Sequence, residues 1–206
     1  SDNKEIREKT RDLILKALEW SSELNSDYYA FHAGFLFDPR PEELGGNLKN
    51  HILNSYRNSS SIFVDQLHSI NECAQSLGVT IAVENNVYDI NNYGLYKENV
   101  PLLLVCEKNI SDLLIDGVGI LLDFGHLKVS ASTLNKNYYE VCKHWLPYTS
   151  GFHLSDNNGL FDQNNNFKET AWFISYLQNT KLPITVEVYD YNFTDLHKTF
   201  QFLQKI

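Results

Sequence analysis

Apolar runs that end on a metal-type ligand recur along this chain, and they limit its fold more than any other feature. They are Ile81-Ala82-Val83-Glu84, Gly119-Ile120-Leu121-Leu122-Asp123, Gly151-Phe152-His153 and Ile184-Thr185-Val186-Glu187. A short continuous apolar run reads as a strand buried on both faces, as in a parallel sheet covered by helices. The four end residues lie roughly 30–40 residues apart, about one strand-plus-helix unit each. Parallel strands present their C-terminal ends on one side of the sheet, where active sites are built. Two glutamates, one aspartate and one histidine at four such ends read as one divalent-metal site.

The segments between these runs alternate with them. Residues 4–24 read as an amphipathic helix, with Ile6, Leu13, Ile14, Ala17 and Leu18 at helical spacing among charges. Tyr28 to His32 reads as a strand, followed by a loop from Ala33-Gly34 to Gly46. A second helix is predicted over 60–77, with Gly78 as its stop, and a strand over 79–84. The Asn- and Tyr-rich segment 85–100 reads as a long active-face loop. Short helices near 101–107 and 109–115 come next, then strand 118–123, a helix near 134–146 and strand 150–154. A polar loop 155–167, a helix near 168–179, strand 184–188 and a final helix near 194–204 complete the series.

Five strands alternating with helices predict an α/β fold of (β/α) TIM-barrel type, a single domain over residues 1–206. An eightfold barrel takes about 250 residues, so about five of eight strand–helix units are expected. The missing three belong on the N-terminal side, which makes this the C-terminal part of a barrel. The start Ser1-Asp2-Asn3 and the absence of methionine point to a fragment boundary. An open sheet leaves the edge at 28–32 unpaired, so a homo-oligomer or a missing N-terminal segment is expected to complete the barrel.

Composition removes several classes of function. Lysine and arginine number 17 against 26 aspartates and glutamates, a net charge of −9. Phosphate-backbone binding needs a basic surface, so no nucleic-acid partner is expected. No apolar run approaches the roughly 20 residues of a membrane span. Cys73, Cys106 and Cys142 are odd in number and widely spaced within helical patterns, which suits buried thiols in a reducing cytoplasm.

Taken singly, each site residue has an ordinary reading. Glu84, before Asn85-Asn86, reads equally well as a solvent-facing strand end, although a buried carboxylate is costly unless paired or metal-bound. Asp123 in Leu122-Asp123-Phe124-Gly125-His126 reads as a helix cap beside a surface histidine. The Asp-Phe-Gly triplet also resembles a kinase magnesium motif, but no glycine-rich or catalytic loop accompanies it. Asp156, after His153-Leu154-Ser155, either orients an imidazole or caps a turn. His32 alone reads as structural. Five polar residues at five consecutive strand ends are harder to dismiss. His51, His68, His144 and His197 read as surface or packing residues.

The ordered set "FHAG", "AVENN", "LLDFGH", "FHLSDN" and "TVEVYD" resembles the xylose-isomerase-like barrel superfamily, which includes sugar isomerases and epimerases and the apurinic endonucleases. The resemblance runs from residue 4 to the end. It implies that Glu84, Asp123, His153 and Glu187 hold a divalent metal. The family's Asp-x-x-His pattern falls on Asp123 and His126, where the histidine binds substrate, or a second metal in the nucleases. His32 matches a strand-end histidine that ligates metal in the nucleases. The nuclease branch carries an Asp-x-His pair after the histidine strand, where this chain has Asp162-Gln163-Asn164.

The expected function is a metal-dependent isomerase or epimerase of a sugar-like small molecule. Glu84 and Glu187 would be catalytic, and His32, His126 and Asp156 would bind substrate. The cation would be Mn²⁺ or Mg²⁺, with Zn²⁺ also allowed. A dehydratase or lyase, an apurinic-type phosphodiesterase, and an incomplete barrel serving as an interaction module are the alternatives.

Overall fold

Local capping residues decide where each helix begins, and the apolar runs become the strands between them. The computed structural model describes residues 1–44, 48–189 and 191–206. Helix α1 (Lys4–Glu23) starts at Asn3, whose side chain accepts the N–H groups of Glu5 and Ile6. Strand β1 (Tyr28–His32) follows. Helix α2 (Tyr56–Ser76) begins earlier than residue 60 because the Ser55 hydroxyl caps Asn58 N–H. Then come β2 (Thr80–Glu84) and α3 (Ile90–Tyr96). Helix α3 lies within the segment expected to be loop, and the Asp89 carboxylate caps it.

The helix expected at 101–107 does not form. Leu102 makes an antiparallel bridge with Phe35, and Leu104 takes a left-handed backbone at φ 54°. One turn of helix, α4 (Ile110–Leu113), precedes β3 (Val118–Asp123). The helix expected near 134–146 forms over a shorter span, and a helix not expected from the sequence precedes it. Helix α5 (Phe124–Thr133) starts directly off β3, because the Asp123 side chain accepts His126 N–H. Helix α6 (Tyr138–Trp145) starts at its own cap, Asn137. After β4 (Thr149–Leu154), the expected helix 168–179 shrinks to α7 (Ile174–Leu177). Strand β5 (Ile184–Val186) stops two residues short of 188, and α8 (Phe193–Leu203) follows. Residues 45 and 46 of the expected loop, and Asp190 of the "TVEVYD" string, lie outside the described residues.

Among the described residues, all four strand pairings are parallel, in the order β1-β2-β3-β4-β5. This is the expected TIM-barrel type of α/β fold, a curled sheet of five strands with helices packed on it. Alternate strand residues point to opposite faces. Ile81, Val83, Ile120, Leu122, Phe152 and Leu154 join Leu67, Ala74, Leu127 and Trp145 from the helices in the main core. The other face carries Ala82, Gly119, Leu121 and Gly151, and its C-terminal ends carry the polar set.

Before α2, Phe37 and Leu48 join Tyr88 and Tyr96 in a second apolar cluster. Glu43 is buried there. Its carboxylate accepts the N–H groups of Arg40 and Lys49 and lies 2.7 Å from His51 Nε2. The His51 hydrogen bond and those two N–H groups hold the Glu43 carboxyl down at about 2. His51, expected as a surface or packing residue, stacks on Phe37. All three cysteines are free; Cys142 is buried, and burial pushes its thiol up to about 12. Among the described residues, no helix is long and apolar enough to cross a membrane.

Candidate metal and catalytic site

Strand register brings the polar set together. His32 is level with Glu84, and Glu84 with Leu121, so Asp123 stands two residues further along the same face. Asp123 is level with His153, and His153 with Thr185, which places Glu187 two residues further, again on that face. Glu187 lies just past β5, yet its N–H still donates to Leu154 O at 3.0 Å. The side-chain period of two therefore aims all five residues at one spot.

His153 Nδ1 lies 2.9 Å from Glu187 Oε2, 3.1 Å from Glu84 Oε1 and 3.9 Å from Asp123 Oδ2. Ligand atoms of Glu84, Asp123, His153 and Glu187 all fall within 4.8 Å of one another. Asp123 is fully buried, and its Oδ2 has no hydrogen-bond partner. An orphaned buried carboxylate oxygen needs an explanation. Three carboxylates and one imidazole facing each other supply one, since that donor set fits a divalent cation.

His126 stands beside this group. Its Nδ1 is 2.9 Å from Asn85 O, 3.7 Å from Glu84 Oε1 and 4.0 Å from Asp123 Oδ1. Its Nε2 is 3.2 Å from Asp162 Oδ2. His32 lies at the open rim, its side chain 54% exposed, with Nε2 3.5 Å from Glu84 Oε2. A second metal-type group therefore consists of His32, Glu84 and His126.

The charges perturb one another strongly. Burial alone would lower the His153 imidazole, but hydrogen bonds to Glu187 and Glu84, with the charge of Asp123, outweigh it and raise the group to about 10. His126 follows the same logic. Burial is overcome by Asp123, Asp162 and Glu84, and the group again stands at about 10. Burial raises Asp123 to about 6, partly offset by His126. The hydrogen bond to His153 holds Glu187 below its ordinary value.

Asp156, expected to orient an imidazole or bind substrate, is turned elsewhere. It binds Lys128 Nζ at 2.6 Å and the N–H of Asn157 at 2.8 Å. The loop after β4 places Asp162, not Asp156, on a site histidine. Asn85 and Asn86 are further residues whose part the sequence does not reveal. Asn85 Oδ1 accepts Asp123 N–H at 2.8 Å and its amide donates to Asp123 O at 3.1 Å, tying the ends of β2 and β3 together. Asn86 donates to Ala33 O at 3.0 Å and Leu103 O at 2.8 Å. Their only signal in the sequence is their place directly after a strand-end glutamate.

Known proteins share this arrangement of elements. A D-tagatose 3-epimerase-like protein superposes with a TM-score of 0.73 at 21% identity, over 100% of this chain and 71% of its own. An L-ribulose 3-epimerase gives 0.63 at 12% identity, over 98% and 62%. A xylose isomerase-like TIM-barrel protein from Mycobacterium smegmatis, in complex with magnesium, gives 0.63 at 15% identity, over 98% and 68%. No protein of curated function matches by sequence. The xylose isomerase-like TIM-barrel family model matches residues 1–205. With that match across nearly its whole length, the chain belongs to the xylose isomerase-like TIM-barrel family.

Proposed function

We propose that the chain is a divalent-metal-dependent isomerase or epimerase of a sugar, or of a sugar-like polyol or keto compound. The observation that carries this reading is the convergence of Glu84, Asp123, His153 and Glu187 on one spot, with ligand atoms within 4.8 Å of one another. Family membership and the likeness to sugar epimerases support the substrate class. The donor set favours Mn²⁺ or Mg²⁺ and also admits Zn²⁺. These four residues would hold the cation, which when bound would supply Lewis acidity to the substrate.

The remaining chemistry falls to side chains. In the sheet order, β4 with His153 lies between β2, which carries Glu84, and β5, which leads to Glu187. The two glutamates therefore flank the site. One takes the proton from the carbon next to the carbonyl, and the other returns a proton on the opposite face. His126, held charged by its carboxylate neighbours, places positive charge near the substrate oxygen on which negative charge develops.

The test is proton exchange in D₂O. Protein supplied with Mn²⁺ is incubated with D-tagatose, D-fructose and a panel of other ketoses and aldoses, and deuterium is located by NMR. Deuterium is expected at the carbon next to the carbonyl, with formation of an epimer or isomer. Its absence across the panel, with metal bound, would overturn the reading.

Metal binding carries its own signature. A ligand imidazole must be neutral, whereas His153 holds its proton up to about pH 10. At pH 8 each ion bound is therefore expected to expel about one proton. Affinity should climb with pH until about 10, and it should fall more steeply below about 6, where Asp123 also takes up a proton. Calorimetry in two buffers of different ionisation enthalpy counts the protons; none released would contradict the assignment of His153.

A further inference from the structure

The loop between β4 and α7 carries a carboxylate with one oxygen in use and one free. Asp162 Oδ2 lies 3.2 Å from His126 Nε2, while His126 Nδ1 is 2.9 Å from the Asn85 carbonyl oxygen. The imidazole is thus held at both nitrogens from two different loops, and turning the ring would break both contacts. The other carboxylate oxygen, Asp162 Oδ1, is buried and has no partner. Leaving such an acceptor unpaired is costly, so a donor is expected at some stage of the protein's work.

The loop is built to hold this group. Asp156 and Asn165 bond backbone to backbone in both directions, at 2.9 and 2.8 Å. Lys128 clamps Asp156 from α5 at 2.6 Å. The Asn157 amide donates to Gly125 O at 2.9 Å, and the Asn158 side chain accepts the N–H groups of Leu160 and Phe161. Asp162 therefore sits on an anchored loop beside His126, and its second oxygen is buried and unpaired before any ligand binds.

We propose that Asp162 is a positioning and specificity-determining residue: one carboxylate oxygen fixes His126, and the other accepts a hydroxyl of a polyhydroxylated substrate. This rests on the sugar reading given above. A substrate that lacks the hydroxyl would leave the buried oxygen unpaired, which is how a polar pocket rejects a deoxy analogue.

Three proteins decide it: wild type, Asp162→Asn and Asp162→Glu. Asparagine keeps the size and removes the charge; glutamate restores the carboxylate. Histidine-ring ¹⁵N NMR reads the His126 contact without any ligand. Calorimetry with Mn²⁺ present reads the affinity for D-tagatose, D-fructose and their monodeoxy analogues. The expected results are a protected His126 ring N–H in wild type that exchanges faster in Asp162→Asn, where a neutral amide replaces the carboxylate, and slows again in Asp162→Glu. Sugar affinity is expected to fall about tenfold to a hundredfold in Asp162→Asn. One monodeoxy analogue should show the same loss with wild type and no further loss with Asp162→Asn. An unchanged ring signal, or equal sugar affinity in wild type and Asp162→Asn, overturns this inference and leaves the sugar reading intact. A wild type that binds none of the sugars overturns the sugar reading and the hydroxyl-accepting role together, while the ring signal still judges the hold on His126.

Discussion

Replacing Glu84 or Glu187 with glutamine is expected to lower proton exchange between a ketose and solvent by about a thousandfold, within the range that one positioned acid or base contributes. Glutamine matches glutamate in volume, so neither change opens a cavity. Each removes one of the two carboxylate contacts under 3.2 Å from His153 Nδ1. The imidazole should then titrate lower than about 10, because those contacts raise it. Deuterium incorporation measures the chemistry, and urea unfolding of the same samples confirms that the fold is kept. Exchange at the wild-type rate in either variant would remove that residue from the acid–base pair.

Phe124→Ala is expected to cost about 3–5 kcal/mol of stability, a large part of the roughly 5–15 kcal/mol that holds a typical domain folded. Phe124 is fully buried. Its ring stacks on Phe152 at 5.3 Å and on Phe173 at 5.0 Å, and it meets Trp172 edge-on at 5.4 Å. Such contacts add to the area it buries. It is also the residue after Asp123, so the void would loosen the start of α5 and the hold on His126. Urea midpoints with an unchanged slope measure the loss. A change below about 1 kcal/mol would show that these rings are not the centre of the core, since a fully buried aromatic ring cannot be deleted so cheaply.

The strands were legible because a buried parallel strand leaves an unbroken apolar run, and β3 matches its predicted span residue for residue. The polar strand ends were legible for the same reason, since register then fixes where they meet. Helix α5 was not. Phe124, Gly125, His126, Leu127, Val129, Ser130 and Ala131 are all buried, so the helix has little polar face to give it a period. Gly125 reads as a breaker, yet it is there for close approach: a Cβ on it would stand 2.5 Å from Ser155 Oγ. The apolar stretch at 101–107 has helical composition, but Leu102, Leu103, Leu104 and Val105 bury themselves in the two apolar clusters instead. The choice between Asp156 and Asp162 also lay beyond the sequence. It depends on Lys128 capturing Asp156 across 28 residues, and local spacing carries no trace of that contact.

Titration of the chain with Mn²⁺, followed by electron paramagnetic resonance, tests the central claim most directly, with Asp123→Ala as the comparison. Asp123 is the fully buried member of the four-residue group, and its free Oδ2 is the oxygen that a cation would satisfy. The account predicts stoichiometric binding of Mn²⁺ at the four-residue group in wild type, and loss of that binding in Asp123→Ala at the same concentrations. A wild-type chain that takes up no Mn²⁺, Mg²⁺ or Zn²⁺ in stoichiometric amount, or an Asp123→Ala chain that binds as wild type does, would contradict it.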